Sequence, residues 1–285
     1  MNKIKLVTDS TSDLRPETYA ELDIEVVPLL VNFGEESFKD RVEITLEQLY
    51  ARCASDSKVF PKTSSVSPTV FIEVFNRYLD EGYDILFVGI GKELSLTYSA
   101  AEMALKEIHR GKIRLVDSAN LSTASGWLLI RAGELRKQGK NVDEIGAELE
   151  KCANKFHTFF AVENLKFLYR GGRVSVSKYI LGTMMHVHPI IKVSKGKLSV
   201  YEKPKGKMVK ALEKMLDEVR AIGVANIDLG LFMITHAFAA DSAEYVKREV
   251  MKLGIPEQNI YIATAGSVIG THCGPNTVGI MFVEK

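Results

Sequence analysis

Cysteine is scarce: the 285-residue chain carries only Cys53, Cys152 and Cys273, far apart and without a CxxC pair. That spacing suits neither a disulfide framework nor a zinc site and is expected of reduced thiols in a cytoplasmic protein. Net charge is nearly absent as well, because 37 Lys and Arg face 36 Asp and Glu. No global field therefore exists to drive non-specific nucleic-acid binding, and nucleic acid is not an expected partner. No apolar run approaches the roughly 18 residues of a membrane span. The run from Ile24 to Phe33, for example, is broken by Glu25, Pro28 and Asn32. Asp9 stands where a secretory signal needs apolar residues, so no targeting peptide is expected. The patterns GxxxxGK[ST], GxSxG, HExxH and GxGxxG are also missing, which argues against nucleotide-dependent catalysis by this chain alone and against a cofactor.

What is present is an ordinary globular composition, 46% hydrophobic and 26% charged. At roughly 150 residues per domain the length suits about two domains. Short β-rich runs alternate with amphipathic stretches: strands at Ile4 to Thr8, Ile24 to Phe33, Asp84 to Ile90 and Ile113 to Asp117, and helices at Pro16 to Leu22, Leu46 to Ala54, Pro68 to Leu79 and Tyr98 to His109. This rhythm predicts a parallel sheet covered by helices. Two successive helices, Ser122 to Gln138 and Val142 to Lys155, break the alternation. Beyond them lie strands at Ile190 to Val193 and Leu198 to Tyr201, joined at Lys195-Gly196 as a hairpin, and a helix from Lys207 to Ala221. Further strands at Leu229 to Thr235, Ile260 to Ala263 and Val278 to Val283, with a helix at Ala240 to Leu253, complete a mixed sheet. The expected fold is two α/β domains, residues 1–156 with a parallel sheet and residues 157–285 with a mixed sheet, and a ligand cleft between them.

Charge is unevenly placed. Residues 1–50 hold five basic and eleven acidic side chains, whereas residues 192–214 hold eight Lys against Glu202 and Glu213. The basic segment reads as a solvated helix face or as a surface for an acidic partner or a membrane.

Several polar clusters fall where a parallel sheet places its loops. Thr8 to Asp13 reads either as a turn and helix cap or as a contact with a ligand or the other domain. Thr63-Ser64-Ser65 and Ser95-Leu96-Thr97 are hydroxyl-rich and suited to donating to an anion, with helix capping as the plainer alternative. Arg170-Gly171-Gly172-Arg173 sets two guanidinium groups around a turn, a geometry for phosphate or carboxylate or simply a solvated turn. Gly270-Thr271-His272-Cys273 places a histidine in a glycine-rich loop. His186 and His188 would share one face of a strand, but without an acid or thiol nearby no metal site is expected.

Taken in order, Val7 to Leu14, Thr63 to Pro68, Leu94 to Tyr98, Val116 to Ser118, Leu165 to Ser175 and His272 to Pro275 resemble the DegV family along the whole chain. The resemblance implies a bacterial fatty-acid-binding protein of two α/β domains with the acyl chain in a tunnel between them. It further implies a non-catalytic carrier that presents the carboxylate to a separate ATP-dependent fatty acid kinase for acyl phosphate formation, feeding phospholipid synthesis, with brief contact at a membrane surface. On that resemblance Thr63, Ser95 and His272 hold the carboxylate, and Ser64, Ser65, Thr97, Gly270 and Thr271 complete the head-group loops. Arg170, Gly171, Gly172 and Arg173 engage the kinase. Val66, Leu96 and Asn276 depart from the family pattern, where Pro, Gly and Gly are common; Leu96 bears on ligand choice more than on fold. Two other readings stand beside it: a sensor of small anions or phosphorylated metabolites, and a hydrolase or transferase using His272 with Ser95 or Ser267.

Overall fold

A computed structural model describes residues 3–55, 60–175, 186–228 and 230–285. The chain folds as two α/β domains. In the first, β1 (Lys3–Asp9), β2 (Ile24–Val27), β6 (Tyr83–Gly89) and β7 (Ile113–Asp117) form a parallel sheet in the order β2-β1-β6-β7. The central strands β1 and β6 are buried along almost their whole length, as expected of a sheet covered on both faces. Helices α3 (Pro68–Asp80) and α4 (Thr97–Glu107) cover one face. On the other lie α5 (Thr123–Lys137) and α6 (Val142–Ala153), the latter started by an Asn141/Glu144 capping box.

The second domain orders its strands β10-β9-β8-β13-β11-β12: β8 (Phe156–Ala161), β9 (Ile190–Ser194), β10 (Lys197–Glu202), β11 (Phe232–Ala237), β12 (Ile260–Thr264) and β13 (Thr277–Val283). Only β11 and β12 run parallel. Lys195 and Gly196 both have positive φ, which makes the β9–β10 connection the two-residue hairpin their sequence suggests. Helices α8 (Met208–Ile222) and α9 (Ala240–Lys252) pack on the outer face of this sheet. Leu229, the expected start of β11, lies outside the described residues, and β11 begins at Phe232.

Helix α5 is buried nearly all round because it lies between the two sheets, with Trp127 and Leu128 in one core together with Met233 and Met281. The expected single strand Ile24 to Phe33 is instead two. Pro28 supplies no N–H and ends the pairing with β1. After it, β3 (Leu30–Phe33) turns into a small antiparallel sheet with β4 (Glu36–Lys39) and β5 (Lys62–Ser64), between which lies α2 (Leu46–Ser55). His186 and His188 do not share a strand face: His186 is exposed with φ +54, and only the intervening Val187 forms an isolated bridge, to Lys205.

Candidate functional site

The small sheet places Thr63 on β5, opposite Val31, rather than in a loop. From there its hydroxyl reaches His272 of α10 (Ser267–Cys273), with Thr63 Oγ1 2.7 Å from His272 Nε2. The imidazole is buried, and that burial, reinforced by the charge of Arg173, pushes its pKa down to about 3. His272 is thus neutral near pH 7, and its Nδ1 is buried without a hydrogen-bond partner among the described residues. Gly171, which ends the short helix α7 (Lys166–Arg170), explains how the ring fits: a Cβ there would lie 2.2 Å from Nδ1, so only glycine allows the approach.

These groups border a cavity of about 220 Å³ between the domains. Thr63, Ser64, Ser65, Ser95, Arg173 and His272 form its polar end, and Leu29, Ile90, Leu121, Phe160, Leu168 and Ile269 are among its apolar walls. Ser95 Oγ accepts from the Thr97 amide at 3.2 Å and lies 2.8 Å from Thr97 Oγ1, so the same hydroxyl caps α4 and faces the cavity. Thr97, Gly270 and Thr271 do not line it. Thr97 is fully buried behind Ser95, Gly270 packs on Leu46 and Tyr50, and Thr271 donates back to the Ser267 carbonyl. Sequence reasoning missed Cys273 as part of the wall; burial pushes its thiol up to about 12, so it acts as an apolar surface.

Arg170 and Arg173 part company. Arg170 is exposed, its guanidinium over the Phe60 ring at 5.0 Å. Arg173 turns inward to the cavity wall, held by the Gly171 carbonyl at 2.7 Å and the Leu94 carbonyl at 3.2 Å. Half-buried, it forms no ion pair with a carboxylate among the described residues, and burial alone lowers its pKa. The sequence marked it as a donor suited to carboxylate or phosphate and the resemblance set it with Arg170 at the kinase surface; its inward turn instead puts it on the cavity wall.

At the other end of α10 lies a second polar group. Asp13 accepts from Arg41 at 2.7 Å, from Ser122 Oγ at 2.7 Å and from the Gly266 amide at 2.8 Å. Asp40 accepts from Ser10 Oγ at 2.8 Å and the Ser267 amide at 2.7 Å. Burial raises both carboxyls against the pull of Arg41, Asp40 to about 6. Thr8 to Asp13 is thus chiefly a turn bonded within the first domain, with Asp9 capping the turn Ser10–Ser12, and it touches the second domain through Asp13 and the Gly266 amide; α1 (Pro16–Glu21) takes no side-chain cap from it.

Outward, the cavity meets an open groove of about 850 Å³ that shares Ser95, Leu96 and Arg173 with it and carries Lys92, Lys197 and Lys203. Leu96 stands at this lip 74% exposed. Among the described residues no helix is long and apolar enough to cross a membrane, and no cluster of His, Cys, Asp or Glu is placed to hold a metal.

Comparison with known proteins places this architecture. A DegV protein of Thermus thermophilus, whose structure was reported for its fatty acid binding, is 31% identical and superposes with a TM-score of 0.90, covering 99% of this chain and 100% of its own. A DegV lipid-binding protein of Thermotoga maritima is 27% identical with a TM-score of 0.86, covering 99% and 98%. A DegV domain-containing protein of Clostridium acetobutylicum is 32% identical over the full length of both chains. The family model described as "Uncharacterised protein, DegV family" matches residues 3–285, and this chain belongs to the DegV family.

Proposed function

We infer that this protein binds one long-chain fatty acid, with its carboxylate at the polar end of the cavity and its tail between the two sheets. The observation that carries this reading is Arg173, a desolvated guanidinium without a carboxylate partner among the described residues, standing beside Thr63, Ser95 and a neutral His272 at the mouth of an apolar cavity. A cation left in that state is stabilised by an anion, and the apolar walls behind it suit an alkyl tail. A sixteen-carbon chain would bury about fourteen methylenes, offering roughly 11 kcal/mol before ordering costs. The fatty acid binding reported for the Thermus relative supports the same ligand.

The chain then serves as a carrier whose partner is a separate ATP-dependent kinase. Support comes from the head-group end, which lies beneath an open groove bearing Lys92, Lys197 and Lys203, where a phosphoryl donor has access. Gly172 lines that groove, and exposed Arg170, two residues before it, suits the partner surface. A hydrolase reading fits less well. His272 bonds Thr63 rather than a serine, its depressed pKa makes it a weak base, and Ser267 donates to the Ile44 carbonyl at the far end of α10.

Mass spectrometry of lipid extracted from natively purified protein tests the ligand, with an unrelated protein from the same host as control. A near-stoichiometric fatty acid is expected. No lipid, together with no uptake in an exchange assay, would turn the assignment toward a small-anion sensor.

A further inference from the structure

The six-stranded sheet is the floor of the cavity, and its register shows where the cavity stops. Along β13, Met281 joins the core shared with the first domain, whereas Val278, Ile280 and Phe282 join the core under α8 and α9. Gly279 therefore faces the first domain too, with Phe160 of β8 on one side and Thr235 of β11 on the other. Gly279 borders a furrow: a recess of about 20 Å³, also bordered by Phe160 and Thr235, has Leu121, Phe160, Ile269 and Cys273 in common with the walls of the main cavity.

One rung further, Met281 stands between Thr158 and Met233 and borders the end of that recess. Thr123 of α5 fastens it from above, its hydroxyl lying 3.3 Å from the Met281 sulfur and 2.6 Å from Thr235 Oγ1. Behind Met281 the space is filled by the packed core of Leu128 and Met233. We propose that Met281, held by Thr123, is the stop that sets the longest acyl chain this protein accepts, and that the Gly279 furrow receives the terminal carbons. The proposal rests on the fatty-acid reading above. A chain too long for the furrow must displace Met281 from a filled core, and the flexible thioether makes the limit graded rather than absolute.

The test is competition binding to delipidated protein with tetradecanoic, hexadecanoic, octadecanoic and eicosanoic acids. Met281→Ala removes the stop, and the preferred length should rise by about two carbons, improving the longest acid about tenfold relative to hexadecanoic acid. Gly279→Ala should move the preference the other way, since a Cβ there lies 3.1 Å from Met281 Cε and 3.2 Å from Phe160 Cβ, filling the furrow. Thermal unfolding accompanies each variant, and Met281→Leu provides a milder change should the alanine variant fail to fold. An unmoved length profile in folded Met281→Leu and Gly279→Ala proteins overturns the proposal. If the wild-type protein binds none of the four acids, the fatty-acid reading itself fails and the stop falls with it.

Discussion

The two ends of α10 carry buried polar groups of opposite character. At its start Asp13 and Asp40 are surrounded by partners, Arg41, Ser10 and Ser122 side chains and the Gly266 and Ser267 amides. At its end, among the described residues, His272 keeps an unpartnered Nδ1 and Arg173 beside it has no carboxylate. Both arrangements take polar groups out of water, but among the described residues only the first sets its buried cation against a carboxylate. A network closed on itself fastens domains together, whereas one left open at a cavity is completed by a ligand. The first joins the β1 loop, the segment after β4, the start of α5 and the start of α10, and so fixes the height at which His272 meets Thr63.

Breaking the closed network should have the largest effect on stability. Asp13→Ala leaves the Arg41 guanidinium and the Gly266 amide without their partner, and urea unfolding should show a loss of about 3–5 kcal/mol. The open end should respond in binding instead. Arg173→Ala, and the double change Thr63→Ala with Ser95→Ala, should each weaken fatty-acid affinity by about 10- to 100-fold in an exchange assay. Because Arg173 has no charge partner to lose, its variant should unfold at an unchanged or higher temperature without ligand; a marked fall would place Arg173 with the structural group.

Acid should distinguish the ends more finely. His272 has a folded pKa of about 3 against an ordinary 6.5, so as pH falls between those values the unfolded chain takes up a proton that the folded one does not. Its contribution to stability is present above pH 6.5 and is lost on the way down. Asp40, raised from 3.8 to about 6, acts in the opposite sense, its ionisation costing stability as pH rises through that window. The melting-temperature difference between wild type and His272→Gln should therefore become steadily less favourable to wild type from pH 6.5 downward; a constant difference would show that the imidazole is not desolvated. The smallest effect is expected at the lip. Leu96→Gly removes an exposed side chain and should change affinity by no more than about threefold, because solvent already surrounds most of it.

Much of the frame was legible in residue order. The buried runs of β1 and β6 and the Lys195-Gly196 hairpin are local patterns, set by residues within one turn or strand. The small sheet was not legible as such, since strands of three and four residues carry too little periodicity, and Pro28 separates β3 from a run that otherwise reads as one strand. Thr63, Ser95 and His272 were singled out as hydroxyls and a histidine in suggestive company, and Arg173 as an anion donor. That Arg173 faces inward while Arg170 faces solvent depends on the turn at Gly171 and Gly172, two residues whose conformation no pattern of alternation reveals.

The sequence by itself determined most of the longer elements, the two-domain division into parallel and mixed sheets, and the chemical kinds of group at the site, because these follow from local hydrophobic period and side-chain chemistry. Tertiary structure alone decided which groups meet. It set Thr63 2.7 Å from a histidine 209 positions away, closed the acidic network across four separate segments, and left a gap over Gly279 that ends at Met281. Distances and burial between remote segments come from how whole faces pack, so whether a polar group finds a partner or is left for a ligand is a property of the assembled molecule.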